Sequence, residues 1–129
     1  MKNKIEISKS NYKDYLPISI IAFSYATGGA QGDPGGIKIV DIDGRVFYLN
    51  YAYGDLNKNE VYEICPPLKE YISEKDPEGW HKINMGMGNT LFVSKSILQQ
   101  FQEKTQDIKN PSGYYLSWVN VVLNIIKNK

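Results

Sequence analysis

Apolar residues along this chain fall into short blocks separated by glycine, proline and charge, and the spacing within each block predicts its element. The first long block, "PISIIAFSYA", is β-branched and aromatic, is too short for a buried helix and is stopped by glycines. It predicts a buried central strand over residues 18–26. In "IKIVDIDGRVFYLNYAYG" two apolar-rich runs flank Asp43-Gly44. A DG pair so placed is a strong hairpin signal, with φ > 0 expected at both central residues, and it sets strands at 37–42 and 45–53. "NEVYEICPP" reads as a fourth short strand ended by two prolines, which cannot donate to a ladder.

The carboxyl-terminal half changes period. "PPLKEYISEKDPEG" predicts a short helix from Leu68 to Lys75, stopped before Pro77. "GWHKINMGMGNTLFVS" alternates, breaks at Gly86 and Gly88 and resumes, which fits two strands on a tight turn or one bulged strand. Ser94 is placed to cap a helix whose Ile97, Leu98 and Phe101 share one stripe. In the last segment Tyr115, Trp118, Val119, Val122, Ile125 and Ile126 keep helical spacing, and the terminal lysines suit the negative end of the helix dipole. The fold class is therefore α+β: an antiparallel or mixed sheet of about five to six strands with two carboxyl-terminal helices packed on one face.

Composition narrows the function classes. The 129 residues make one domain, 1–129, and 42% apolar with 22% charged residues is the balance of an ordinary globular protein. The longest apolar run is far below the roughly 18 residues of a membrane span, and the amino end lacks the apolar stretch of a signal peptide, so a cytoplasmic protein with no membrane partner is expected. Net charge is +1, but residues 33–78 carry ten acids and five bases. That distribution lacks the chain-wide basic footprint of a nucleic-acid binder, so no nucleic-acid partner is expected. The acids between residues 55 and 78 sit on loops and a weak helix, where solvated carboxylates are the ordinary case.

The candidate chemistry is sparse. "IKIVDIDG" resembles the nucleophile motif of the haloacid dehalogenase phosphatases, with Asp41 as attacker and Asp43 as acid. The strand-type run "RVFYLNY" follows at once where that family has a loop and a helix, so a hairpin turn is the better reading. "GGAQGDPGG" is followed neither by a lysine in a GK[ST] arrangement nor by a helix that could offer its dipole to a phosphate. His81 and Cys65 are the lone imidazole and thiol. They make a poor zinc set, and Cys65 beside two prolines reads as buried and inert. No catalytic, metal or cofactor residues are assigned on this reading. A small hydrolase using Asp41, Asp43 or His81 stays as one alternative, and a structural or ligand-binding module as another.

Contact chemistry is better represented. "FYLNYAY" puts Phe47, Leu49, Tyr51 and Tyr53 on one strand face and Tyr48, Asn50 and Ala52 on the other. Tyrosine offers contact area at small entropic cost. Gln31 and Asp33 in the glycine-rich stretch, Tyr51 and Tyr53 on the strand, and the acids Asp55, Glu60, Glu63, Glu74, Asp76 and Glu78 are the partner-binding candidates.

Two stretches, "SYATGGAQGDPGGIKIVDIDGRVFY" and "GWHKINMGMGNTLFVSKSILQQF", resemble segments of the small immunity proteins of contact-dependent inhibition and other polymorphic bacterial toxin systems. The resemblance spans residues 24–101. It implies a cytoplasmic protein without cofactor or catalysis that binds the carboxyl-terminal domain of a cognate toxin and blocks its active site or substrate surface. Many such toxins are nucleases with basic clefts, which an acidic segment can enter as a phosphate mimic.

Overall fold

Residues 4–26, 36–50, 55–72 and 75–128 are described by the structure, a computed structural model. The described residues form an α+β fold: a six-stranded mixed sheet with helices on both faces. The strands are β1 (Lys4–Glu6), β2 (Ile20–Ala26), β3 (Gly36–Asp41), β4 (Val46–Asn50), β5 (Trp80–Gly86) and β6 (Asn89–Ser94). Their order across the sheet is β1-β4-β3-β2-β6-β5. β1 runs parallel to β4 and every other neighbour is antiparallel. The expected central strand is β2, held between β3 and β6. β1 escapes sequence reading because three residues, "KIE", carry too little alternation to score.

One of the two hairpin turns departs from the conformation that its sequence suggests. At Asp43-Gly44 only Gly44 has positive φ, at 85°. The Gly44 N–H donates to the Asp41 carbonyl at 3.0 Å, and Asp41 and Arg45 bond across the loop, so this is a three-residue connection with its glycine in the left-handed region. The Asp41 side chain selects it by accepting from the amides of Asp43 and Arg45. Between β5 and β6, Gly86 pairs with Asn89, and the two residues inside, Met87 and Gly88, both have positive φ, 55° and 79°. This is the two-residue turn expected at the DG pair. Of the two alternatives for this segment, two strands on a tight turn is the one present, and a bulge between Asn84 and Gly86 precedes the turn.

The segment read as a fourth strand is helical. α1 (Lys58–Ile64) is set by a capping box: the Asn57 side chain accepts from the Glu60 N–H at 2.9 Å, and the Glu60 carboxylate accepts from the Asn57 N–H at 2.8 Å. That reciprocal pair satisfies two amides that a helix start leaves open, and it outweighs the β-branched look of "NEVYEI". Val61 and Ile64, three apart, then point into the core. The prolines do not end a strand. Pro66 opens α2 (Pro66–Ile72), where its missing N–H costs nothing, two residues before the expected start.

α3 (Leu98–Lys104) begins later than its sequence cap. The Ser94 hydroxyl accepts from the Ser96 N–H in a local turn at the end of β6, and no side chain caps the helix at Ile97. α4 (Trp118–Lys127) buries Trp118, Val122 and Ile125. Tyr115 lies before it, after a 3-10 turn at Pro111–Tyr114 that Asn110 caps, so it leaves the buried stripe.

Two cores result, one on each side of the sheet. On one face Phe23, Ile37, Ile39, Phe47, Leu49 and Phe92 pack with Val61, Ile64, Cys65 and Leu68 of α1 and α2. On the other, Ala22, Val40, Val46, Leu91 and Val93 pack with Ile97 and Phe101 of the α3 segment and with the α4 stripe. The two carboxyl-terminal helices share one face as expected, and α1 and α2 cover the other.

Candidate functional site

The acidic candidates do not gather. Gln31, Asp33, Tyr51, Tyr53 and Glu74 lie outside the described residues. Asp55 accepts from the Lys9 N–H at 2.9 Å, and Glu60 pairs with the Lys9 ammonium at 2.7 Å, just beyond the β1 edge of the sheet. The Lys9 hydrogen bond, aided by the Asn57 amide, draws the Glu60 carboxyl below its usual range, and Glu60 in turn raises Lys9. Glu63 is exposed on α1. Asp76 pairs at 3.2 Å with Lys82 on β5, the strand at the opposite edge. Glu78 is exposed beside it, its N–H directed at Glu70 Oε1 at 3.4 Å. These acids stand at two edges of the sheet, and Glu60 and Asp76 are already paired.

The candidates for chemistry are held in structural roles. Asp41 is fully buried; its Oδ1 accepts from the amides of Asp43 and Arg45, and its Oδ2 from Arg45 Nε at 2.7 Å. A carboxylate with both oxygens so engaged fixes a turn. Asp43 is exposed at the loop, and His81 is half-buried on β5 opposite Val93. Cys65 is fully buried at the end of α1, and burial pushes its thiol up to about 12. A thiol so shifted is not a nucleophile near neutral pH.

The second face of the sheet carries the open chemistry. α4 packs over β3 as far as Val46 of β4, and beyond it Lys38 and Tyr48, a cross-strand pair of β3 and β4, point to the same side as Lys4 of β1. Lys4 Nζ lies 4.5 Å and Lys38 Nζ 5.6 Å from the centre of the Tyr48 ring. Among the described residues, no carboxylate forms an ion pair with either lysine. Burial, and then the charge of Lys4, lower the Lys38 pKa from its ordinary value.

These lysines border a groove of about 400 Å³ whose apolar wall is Val46, Leu116, Val119 and Leu123. A smaller hollow of about 70 Å³ continues it past Lys38 and Tyr115 to Ser24, Ala26, Gly36 and Asn89. Ala26 and Gly36, which flank the glycine-rich stretch, thus border this same surface. The rim is apolar and exposed: Leu116 is 87% and Tyr115 47% accessible.

Sequence reading missed this groove because Lys4 comes from an unpredicted strand, Tyr115 and Val119 have the spacing of a buried helical stripe, and Leu116 and Leu123 belong to no predicted surface. The available signal was Lys38, a lysine set between Ile37 and Ile39 in a run that is otherwise apolar. No family model, curated protein or solved structure matches the chain.

Proposed function

We propose that this is an immunity protein, which binds the carboxyl-terminal domain of a cognate toxin in the cytoplasm and neutralises it by covering its active site or substrate surface. The observation that carries the reading is the almost fully exposed Leu116, set beside exposed Tyr115, which also lines, with Tyr48, the adjoining hollow on an uncovered part of the sheet. An exposed leucine alone is ordinary. One that adjoins an exposed tyrosine at the mouth of a groove has the composition of an interface centre. The candidates for catalysis point the same way, since Asp41 is spent on a turn and Cys65 is sealed in the core. Among the described residues, no helix is long and apolar enough to cross a membrane.

On this reading the contact surface is the second face of the sheet, with the acids as flanking groups. The test co-expresses the protein with the carboxyl-terminal domain of the large protein encoded immediately upstream. Growth arrest by that domain alone and rescue by the wild-type protein are expected, together with loss of rescue by Leu116→Asp at an unchanged melting temperature. Full rescue by a normally folded Leu116→Asp, Tyr115→Ala double variant would move the interface elsewhere. A domain that binds neither variant nor wild type would sink the immunity reading itself.

A further inference from the structure

We propose that the groove between the β1–β4–β3 end of the sheet and residues 115–123 is a binding site for a small organic anion with an apolar body, of which a medium-chain carboxylate is the simplest case. This inference stands apart from the immunity reading. Its first support is charge: two ammonium groups border the groove, 4.5 and 5.6 Å from the centre of the Tyr48 ring, and no carboxylate among the described residues pairs with them. Two like charges on one groove, one of them half-buried, raise the energy of the empty site, and an anion bound there relieves it.

The second support is shape. Val46, Val119, Leu123 and Leu116 form a continuous apolar wall beside the two cations, and the volume of about 400 Å³ falls within the range of small-molecule sites. An inorganic anion would leave that wall wet, and an uncharged hydrocarbon would leave the lysines unpaired. A carboxylate on an alkyl chain uses both, its oxygens accepting from Lys4 and Lys38 and its chain lying along α4 toward Leu123. Asn120, also at the groove, supplies a further polar group.

The test is calorimetric titration of the full chain with decanoate below its micelle-forming concentration, with decanol and acetate as separate ligands. One decanoate per chain is expected, bound at least about tenfold more tightly than either control. Lys38→Met should weaken decanoate by roughly tenfold or more, as expected for loss of a charge-assisted hydrogen bond. Lys4→Gln, on a three-residue edge strand, serves as the second variant if Lys38→Met does not fold. On the wild-type protein, the amide signals of Lys38, Val46 and Leu123 should move on titration. Equal binding of decanoate and decanol, an unchanged affinity in a folded lysine variant, or shifts centred away from those residues would overturn the proposal. Toxin protection is not read in this experiment, so its outcome and that of the immunity test are separable.

Discussion

The two faces of the sheet are built from the same strands and end up with different surfaces. The α1–α2 face is closed by aromatic contact: Phe23 stacks on Phe92 at 4.8 Å, Trp80 meets Phe23 edge-on at 5.2 Å, and Tyr71 meets Phe92 at 5.0 Å. Such pairs add about 0.5–1.5 kcal/mol each beyond their buried area, and they extend the core from β4 across to β5. On the α3–α4 face the cover is mainly aliphatic, with Trp118 and a Phe101–Tyr114 stack at 5.8 Å as its aromatic part, and it reaches no further than Val46. Past that point alternation still sends every second side chain of β1, β3 and β4 to this side, and the chain supplies Lys4, Lys38 and Tyr48. Both faces hold a core, but only the half-covered one leaves an open groove beside it.

The sharpest way to break this comparison is to remove one large side chain from each core. Phe92→Ala and Trp118→Ala should each cost about 3–5 kcal/mol in chemical denaturation, because both are almost fully buried. A loss below 1 kcal/mol for Trp118→Ala, judged on the same scale, would show that α4 rests on the sheet without forming a core, and the groove beside it would lose its wall.

A smaller effect is expected at the turn between β3 and β4, which both faces share. Asp41→Asn keeps the size of the side chain but sets an amide N–H2 against donors whichever way it turns, since Oδ1 faces two backbone N–H groups and Oδ2 faces Arg45 Nε. The expected loss is about 1–3 kcal/mol, read from the denaturation midpoint. If the residue served hydrolysis instead, the variant would keep its stability and lose a phosphatase or esterase activity.

The smallest effect sharpens the contrast by loosening one cover only. Asn57→Ala removes half of the capping box of α1 and should cost about 1 kcal/mol. Amide exchange should quicken in α1 and leave α4 unchanged. Equal quickening in both helices would mean that the two faces unfold as one unit.

Much of the fold was legible because strand and helix periods are local. Residues 20–26, 36–41, 80–86 and 89–94 read as strands from alternation and turn residues alone, and the apolar spacing of Trp118, Val122 and Ile125 marked the last helix. The errors were local contests decided by polar side chains. At Asn57 and Glu60 a reciprocal cap turned a β-looking run into α1, and at Asp41 a carboxylate chose a three-residue loop over the tighter turn. Ser94 bonded within its own turn and left α3 to start at Leu98.

Of the candidate site, the chain alone carries the ingredients: many tyrosines, a glycine-rich stretch between two apolar runs, unevenly spread charge and no complete catalytic motif. Those properties belong to residue types and short spacings, which the chain carries in any conformation. Only the tertiary structure decided what met what. It sent Asp55 and Asp76 to opposite edges of the sheet and brought Lys4 and Lys38, 34 residues apart in the chain, over one tyrosine ring. The physical reason is that strand order and pairing direction are fixed by burying two apolar faces at once, a condition on the whole chain. The parallel docking of β1 on β4, which no local pattern encodes, is what sets Lys4 beside Tyr48.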